Sequence, residues 1–437
     1  MEVRFASARS QHELYCRNRE RSLGSFTFYG QELVKPKLKF DYSLASAIES
    51  DSRRGLRIYG PYDKNLFSKP KIKMAIITDE KSVNVASSFR ERLCDGVEGY
   101  PGFSRLIRIG LESSNFLLAK NNTADFDQKL REAVQADPDI AFVIVDKYSQ
   151  PSYSKAKALL LGSGVPCQVI NRQTLDKPTD QVQWIYPNIA LASYAKVGGT
   201  PWVIEGTDRS EVVLGMSRAI DKKRNVLVGF TTIFKENGDY VLYHSKSPVR
   251  QWDEYEAGLG VLVQEAVEEY QNLFGQPKSL VIHFHKRTGS KEVRAVSSAI
   301  KSSGLDIPYA LLHLNSDSSY FPFDGGAGNY AAPQGLQVNL GRRQALLICN
   351  VGYGGEPGVV EVTMDRESTM SFDEFPRLLQ QVYQFSFVNW RGFGSKAIPV
   401  TIYYPYLIAR LIAELDTPAR WNEIVANTRL LDKAWFL

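Results

Sequence analysis

From about Lys71 onward, short apolar runs alternate with segments of helical periodicity, and this alternation limits the folds that the chain can adopt. Apolar and β-branched runs predict strands at residues 72–78, 104–111, 140–146 and 166–170. The segments between them predict helices at residues 83–93, 126–136 and 152–161. Because strands separated by helices usually pair in parallel, we expect a Rossmann-like α/β sheet in this part of the chain.

The second half of the chain combines a hairpin with further alternation. Strands are predicted at residues 211–219, 225–235 and 240–245. Asn237-Gly238 lies between the last two strands and is a strong hairpin signal. The pattern then predicts a helix at 255–274, a strand at 279–285, a helix at 292–302 and a strand at 307–314. This order is typical of an RNase H-like layer. No Gly-x-Gly-x-x-Gly follows the first predicted strand, so we expect no nucleotide cofactor.

Length and charge narrow the class of protein further. A chain of 437 residues predicts two or three domains. A formal charge of +5 permits a nucleic-acid partner without requiring one, because phosphates need a local basic patch. The four cysteines are scattered, which is typical of reduced thiols. The sequence contains no apolar run long enough to span a bilayer and no signal-peptide core, so we expect a cytoplasmic protein without a membrane partner.

Four polar or aromatic side chains define a candidate binding site. Tyr153 and Lys157 are four residues apart, so they share one face near the start of a predicted helix, where backbone N–H groups are unpaired. Gln168 lies in the next predicted strand, and Lys196 ends a helical run predicted from about Asn188. Together they suit a phosphate with a base stacked above it. Taken singly, the two lysines also fit solvated side chains, the tyrosine fits a packed ring, and the glutamine fits a position on an edge strand.

The order of these residues resembles the MID domain of the Argonaute/Piwi family. The resemblance rests on Pro151-x-Tyr153-x-x-x-Lys157, Pro166-Cys167-Gln168 and Ala195-Lys196-Val197-Gly198-Gly199-Thr200-Pro201-Trp202. It implies that Tyr153 stacks on the first base of a guide strand. It also implies that Lys157 and Lys196 neutralise the guide 5′-phosphate and that Gln168 hydrogen-bonds to it. Asn188 is expected to donate to a later guide phosphate.

The second half resembles the PIWI domain of the same family. The matching motifs are Leu312-His313-Leu314-Asn315, Pro333-Gln334-Gly335, Asn389-Trp390-Arg391-Gly392-Phe393, Pro399-Val400-Thr401 and Trp435-Phe436-Leu437. The chain is therefore similar to short prokaryotic Argonautes, with a Rossmann-like MID domain followed by an RNase H-like PIWI domain. We expect an N-terminal segment at residues 1–70 that packs on the body, the MID domain at 71–200 and the PIWI domain at 201–437.

The positions that would bind catalytic metal ions carry hydroxyl groups. An RNase H-type nuclease needs carboxylates that converge on two divalent ions. At the matching positions this chain has Ser217, Thr288 and Tyr406, so the resemblance implies an inactive PIWI domain and a protein that is not an enzyme. The acidic residues nearby in sequence match none of these positions; they are Asp221, Asp317 and Asp324. A guide-directed endonuclease with displaced carboxylates is the alternative.

Two other catalytic arrangements have less support from the sequence. His283 and His285 share one face of a predicted strand, which suggests a metal pair, but no third ligand has a recognisable spacing. A packed strand with hydrogen-bonded histidines is the expectation. Ser217 has no histidine base that the sequence identifies, so we expect no Ser-His-Asp site.

The last residues of the sequence provide a further expectation from the resemblance. In the family, the terminal carboxylate enters the MID pocket and helps to hold a divalent ion, such as Mg²⁺, between guide phosphates. Leu437 would supply that carboxylate, with Gln168 beside it. An apolar tail that packs against the PIWI core is the alternative, and the two are compatible.

The resemblance also implies a role and partners. We expect the protein to hold a 5′-phosphorylated guide RNA and to pair it with target DNA without cleaving it. The expected partner is a co-encoded protein with a PAZ-analogue (APAZ) domain, joined to a sirtuin-like or TIR NADase or to a nuclease. Target recognition would activate this heterodimer, and NAD depletion would give abortive infection in defence against plasmids and phage. A stand-alone binder that acts by occupying its target is a third hypothesis.

Overall fold

The structure is a computed structural model, and it describes most of the chain. The described residues are 2–7, 28–120, 123–146, 150–206, 209–220, 227–245, 249, 251–286, 288–318, 320–324, 331–352, 356–415 and 418–437.

The described strands fall into three sheets. In chain order they are β1 (Glu2–Ser7), β2 (Phe28–Glu32), β3 (Leu38–Lys39), β4 (Ile48–Glu49), β5 (Lys71–Asp79), β6 (Gly110–Ala119), β7 (Ile140–Val145), β8 (Cys167–Asn171), β9 (Val203–Ile204), β10 (Glu211–Ile220), β11 (Leu227–Lys235), β12 (Tyr240–Ser245), β13 (Ser279–His285), β14 (Tyr309–Asn315), β15 (Tyr320–Asp324), β16 (Leu336–Gly341), β17 (Gln344–Val351) and β18 (Pro357–Met364).

The described α-helices cover these sheets. In chain order they are α1 (Ser52–Tyr59), α2 (Val83–Asp95), α3 (Phe103–Ile107), α4 (Thr123–Gln135), α5 (Gln150–Gly162), α6 (Arg172–Leu175), α7 (Thr179–Lys196), α8 (Trp252–Phe274), α9 (Ser290–Ser302), α10 (Phe375–Gln384), α11 (Val400–Glu414) and α12 (Pro418–Val425). Among the residues that the structure describes, none of the helices combines the length and the apolar character needed to cross a membrane.

The four-stranded sheet, which we call the small sheet, is parallel throughout and has the order β6-β5-β7-β8. All residues of β7 are buried, as expected for a central parallel strand covered by helices on both faces. The sequence predicted β5, β7 and β8 closely, and the predicted Rossmann-like α/β fold is confirmed.

The strand predicted at residues 104–111 is wrong. Residues Phe103–Ile107 form α3, and the strand of the small sheet follows at β6. Phe103, Leu106 and Ile107 are all buried, which is the i, i+3, i+4 spacing of one helix face. Arg108 has a φ of 64°, and this left-handed conformation ends the helix before the strand begins.

The helix that carries Lys196 begins earlier than the sequence predicted. We expected a helical run from about Asn188, but α7 starts at Thr179 and contains Pro187. A proline removes one backbone donor and usually marks a helix boundary, so local sequence favours a helix that begins after Pro187.

The large sheet contains the predicted RNase H-like layer. Its order within the described residues is β12-β11-β10-β13-β14-β18-β17-β16-β2-β1-β15. Strand β10 pairs antiparallel with β11 and parallel with β13, and β13 pairs parallel with β14. This hairpin followed by parallel strands confirms the predicted fold class. Helices α8 and α9 pack together beside these strands and bury one apolar cluster.

The four N-terminal strands belong to two different sheets. Strands β1 and β2 extend the large sheet, and β3 pairs with β4 and β9 in a three-stranded sheet. Residues 8–27 of the predicted N-terminal segment lie outside the described residues. The domain boundaries at residues 70 and 200 stay a prediction.

The last residues of the sequence lie between the small sheet and the RNase H-like layer. The Trp435 ring is buried and lies 5.6 Å from the Tyr243 ring of β12. Asn427 donates to the Gly162 carbonyl at the end of α5, at 2.9 Å. Phe436 packs at the edge of the Tyr404 ring of α11, with centroids 5.3 Å apart. This segment therefore contacts elements of both sheets.

Candidate functional site

A cavity of about 240 Å³ opens between the start of α5, the edge strand β8 and helix α11, and we call it the Tyr153 cavity. Its lining includes Tyr153, Lys157, Gln168 and Leu437, all of which are candidate site residues in the sequence. Tyr153 and Lys157 lie on one face of α5, as their spacing of four predicted. Three separate segments of the chain thus bring a ring, an ammonium, an amide and Leu437 together.

Lys157 is the cation closest to the Tyr153 ring. Its side chain is 5% exposed, and its Nζ donates to the Cys167 carbonyl at 2.7 Å. The same Nζ lies 5.7 Å from the centre of the Tyr153 ring. Since an ammonium carries three N–H donors and one is directed at Cys167, the group is held in place while it still faces the cavity. This arrangement suits an anionic ligand.

Lys196 lies behind the Tyr153 cavity rather than in its lining. The side chain is fully buried, and its Nζ donates to the Trp435 carbonyl at 3.1 Å and to the main-chain oxygen of Leu437. Burial, together with the neighbouring charge of Lys157, lowers the pKa of Lys196 well below its usual value. Lys196 therefore contacts the site indirectly, through its hydrogen bond to Leu437.

Tyr153 presents a neutral ring to the cavity. Burial is the main cause that raises the pKa of its phenol, and the Glu414 carboxylate raises it further. The residue is partly exposed and lines the cavity.

Sequence reasoning missed three charged residues of this cavity, namely Arg391, Arg410 and Glu414. Arg391 donates from Nη1 to the Tyr403 hydroxyl at 3.1 Å. Arg410 pairs with Glu414 at 3.4 Å along the exposed face of α11. The signal for Arg391 was its place in the Asn389–Phe393 motif. The other two residues resemble an ordinary solvated i, i+4 pair in sequence.

Asn188 lines a neighbouring cavity of about 460 Å³, which we call the Trp184 cavity. The two cavities adjoin each other, since both are lined by Gln168, Val169, Arg391 and Leu437. The Asn188 Nδ2 donates to the Trp184 carbonyl at 2.9 Å, and its Oδ1 accepts from the Phe393 N–H at 3.4 Å. Asn188 is thus beside the Tyr153 cavity but already bonded within the protein.

The hydroxyl residues Ser217, Thr288 and Tyr406 converge on a cavity of about 610 Å³, which we call the Ser217 cavity. They come from β10, from the loop before α9 and from the second turn of α11. The three residues thus line one cavity, and their assignment to the catalytic positions of the family stays a prediction.

The structure places beside Ser217 a histidine that the sequence did not identify, and the expectation of no Ser-His-Asp site stays a prediction. The Ser217 Oγ lies 3.4 Å from the His285 Nδ1, because β10 and β13 are adjacent parallel strands. Burial lowers the pKa of His285, so its ring is neutral near pH 7. His283 is fully buried, its Nδ1 lies 2.7 Å from the Thr401 Oγ1, and burial lowers its pKa to about 3. His283 is therefore packed in the interior, whereas His285 lines the Ser217 cavity.

The carboxylates at the Ser217 cavity are both engaged in ion pairs. Glu292 pairs with Arg218 at 2.6 Å, and Asp317 pairs with Lys286 at 2.7 Å. Asp221 and the side chain of Asp324 lie outside the described residues. Within the described part of the chain, no group of three or more His, Cys, Asp or Glu side chains is placed to hold a metal ion.

The fold and the grouped residues define an α/β protein with a parallel sheet joined to an RNase H-like layer. The Piwi domain family model matches residues 139–416, which is more than half of the chain. The chain therefore belongs to the Piwi domain family.

Two curated relatives cover most of the chain. It is 25% identical to the argonaute protein of Cereibacter sphaeroides over 459 residues, covering 92% of this chain and 59% of that protein. It is 23% identical to the Piwi protein of Archaeoglobus fulgidus over 409 residues, covering 88% of this chain and 93% of that protein. The chain thus spans less than two thirds of the first relative and nearly all of the second.

Solved structures agree on the fold. Drosophila Piwi matches with a TM-score of 0.75 at 16% identity, covering 94% of this chain and 57% of that one. Clostridium butyricum Argonaute, solved with a guide DNA and a 19-mer target DNA, matches with a TM-score of 0.75 at 17% identity, covering 89% and 53%.

Proposed function

We propose that this protein binds the 5′-phosphorylated end of a guide nucleic acid and pairs the guide with a complementary target. The observation that carries the proposal is the convergence of Tyr153, Lys157, Gln168 and Leu437 on one small, polar cavity. The relatives named argonaute and Piwi support the same class of ligand, since the C. butyricum protein was solved with guide and target strands.

The cavity has the groups that a terminal phosphate and its base require. Lys157 supplies a buried ammonium, and Arg391 supplies a planar guanidinium at the cavity edge. Gln168 supplies an amide N–H, and the neutral Tyr153 ring offers a stacking surface for the first base. Lys196 acts indirectly, since it holds the Leu437 main-chain oxygen in position.

A divalent ion such as Mg²⁺ would be held in this cavity by Gln168 and Leu437. Gln168 and Leu437 both line the cavity and offer oxygen atoms, which are the ligands that Mg²⁺ prefers. Two protein oxygens are too few for a complete site, so the guide phosphates would supply further ligands. The ion would neutralise phosphate charge, and the protein groups would orient it.

We propose that the bound target is not cleaved. Ser217, Thr288 and Tyr406 are neutral, and their hydroxyls are poor bridges between two divalent ions. Glu292 and Asp317 also line the cavity and favour the second candidate, a guide-directed endonuclease with displaced carboxylates. Mg²⁺-dependent cleavage of a paired target that Asp317→Asn abolishes would establish this alternative.

An inactive member of this family needs another protein to act on its target. We propose that the guide is RNA, that the target is DNA, and that target pairing activates a cytoplasmic APAZ-type partner with an NADase or nuclease domain. A resemblance to compact prokaryotic Argonautes is the support for this step. NAD depletion that requires both proteins, the guide and the target together would separate it from repression by a stand-alone binder.

The primary test compares guides with and without a 5′-phosphate. We expect wild-type protein to prefer the phosphorylated guide, and Lys157→Gln to lose at least tenfold of this preference, because a charge-assisted hydrogen bond contributes about 1.5–3 kcal/mol. Affinities are measured by fluorescence anisotropy at fixed salt.

Lys155→Gln is the matched control. Lys155 lies on the same helix, two residues before Lys157, and is not part of the cavity lining. Its ammonium pairs with Asp127 at 2.7 Å. We expect it to keep the wild-type preference. Equal binding of both guides by the wild-type protein would contradict the proposed phosphate site.

A further inference from the structure

The Ser217 cavity is rich in hydrogen-bond donors. Ser217, Thr288 and Tyr406 contribute hydroxyl groups, and Arg218 and Lys286 contribute cations. With a volume of about 610 Å³, the cavity has room for a phosphodiester group with its sugars. A carboxylate cluster at the same place would repel a phosphate unless metal ions intervened, whereas these donors attract it directly.

The buried carboxylate at this cavity is committed to structural contacts. Glu292 is 5% exposed; its Oε1 accepts from the Arg218 Nη1 at 2.6 Å, and its Oε2 accepts from the Gly289 N–H at 2.9 Å. Both oxygens therefore have a donor inside the protein. Arg218 also hydrogen-bonds to the Tyr255 side chain, and its guanidinium carbon lies 5.2 Å from the centre of the Trp252 ring. Because a guanidinium carries five N–H groups, donors remain for a ligand.

The second carboxylate is exchangeable. Asp317 pairs with Lys286 at 2.7 Å, with side-chain exposures of 69% and 56%. An exposed pair of this kind contributes little free energy, because water screens it and two flexible side chains must be ordered. A phosphate oxygen can replace Asp317 as the acceptor of Lys286 at small cost.

We propose that the Ser217 cavity binds a phosphodiester group of the nucleic acid directly, through Arg218, Lys286 and the surrounding hydroxyls, with no divalent ion between them. The inference rests on the proposed guide-binding function and assigns the cavity a grip on the nucleic-acid backbone. The hydroxyls donate to the non-bridging oxygens, and Lys286 moves its ammonium from Asp317 to the phosphate.

The position of the cavity agrees with this role. Helix α11 borders both cavities: Tyr403 and Tyr406 line the Ser217 cavity, while Leu407 and Arg410 line the Tyr153 cavity. The two cavities therefore share helix α11 as a wall. A nucleic acid held by its 5′-end at one cavity can place a phosphodiester of the guide, or of the target paired with it, at the other.

The test measures how nucleic-acid affinity depends on salt. We expect Lys286→Gln to lower the magnitude of the slope of log K against log salt concentration by about 0.7–0.9, the value for one lost phosphate contact. Lys301→Gln is the matched control, since Lys301 is similarly exposed at 62% and lies at the far end of α9. We expect it to leave the slope unchanged.

Two arms identify the strand that supplies the phosphate. One arm titrates guide into the full chain, and the other titrates target into the guide-loaded protein. A changed slope in the first arm assigns the phosphodiester to the guide, and a change confined to the second arm assigns it to the target. Unchanged slopes in both arms overturn the proposal.

A second pair of variants separates direct contact from contact through a metal ion. At constant Mg²⁺, we expect Ser217→Asp to bind nucleic acid roughly tenfold more weakly than the isosteric Ser217→Asn, because like charges repel. Tighter binding by Ser217→Asp would show that a divalent ion carries the phosphate, and it would overturn the proposal. If the wild-type protein shows no preference for a phosphorylated guide, the proposed function itself fails. If the preference is normal but the salt slopes are unchanged, this inference fails and the proposed function stands.

Discussion

Asp63 is a partly buried carboxyl group that joins the N-terminal segment to the loop after α7. Its Oδ1 accepts from the Tyr194 hydroxyl at 2.6 Å, and its Oδ2 accepts from the Thr200 N–H at 3.0 Å. Burial raises the pKa of Asp63 to about 6, and the Asp239 charge adds to this shift. The folded protein therefore binds more protons than the unfolded chain between about pH 4 and pH 6.

This difference predicts a pH-dependent stability. As pH rises through that window, we expect the free energy of unfolding to fall relative to Asp63→Asn, by up to about 3 kcal/mol for a shift of two pKa units. Urea denaturation of both proteins at several pH values measures the difference. Parallel pH profiles for the two proteins would contradict the raised pKa.

The lysines show what residue-level reasoning can and cannot predict. Spacing placed Tyr153 and Lys157 on one helix face, and the structure agrees. Lys196 has the same residue type and lies in the same motif, yet it is covered by Leu437, whose main-chain oxygen accepts from it. The sequence could not predict this difference, because the contact joins residues 241 positions apart.

At the scale of elements, Gly215 determines how closely α11 packs on β10. A Cβ atom at this position would lie 1.9 Å from the Thr401 carbonyl oxygen, which belongs to the first turn of α11. We expect Gly215→Ala to destabilise the protein by at least about 2 kcal/mol, because backbone must move to accommodate the methyl group. Thermal denaturation measures the effect.

Gly341→Ala is the matched control for this prediction. Gly341 ends β16, and a Cβ atom there would meet nothing within 4 Å. We expect its effect to stay within about 0.5 kcal/mol, as for most exposed sites. Equal melting temperatures for Gly215→Ala and Gly341→Ala would show that α11 shifts without cost.

Sequence patterns predicted most elements and failed where two periodicities overlap. Residues 104–111 contain alternating apolar positions that fit a strand, but Phe103, Leu106 and Ile107 also share a helix face, and burial of that face decided the outcome. The N-terminal strands β1 and β2 were not predicted. They pair with β15 and β16, which lie about 300 residues later, and no local pattern reports such a pairing.

At the scale of the whole molecule, the residues around Trp435 connect the small sheet to the RNase H-like layer. The Trp435 ring packs against Tyr243 of β12 and Trp421 of α12. The main-chain carbonyl of Trp435 accepts a hydrogen bond from Lys196 at the end of α7. Leu437 follows in the lining of the Tyr153 cavity. Packing of this segment therefore couples the stability of the molecule to the geometry of the proposed guide site.

This coupling predicts that Trp435→Ala affects stability and guide binding together. Loss of a fully buried indole should cost about 3–5 kcal/mol, and the displaced Leu437 should reduce the preference for a phosphorylated guide. Phe274→Ala is the control, since Phe274 is 46% exposed and lines neither the Tyr153 cavity nor the Ser217 cavity. Differential scanning calorimetry and guide anisotropy are compared at a temperature where both variants are folded. If Trp435→Ala keeps the wild-type phosphate preference under those conditions, the segment supports the fold alone, and Leu437 has no part in guide recognition.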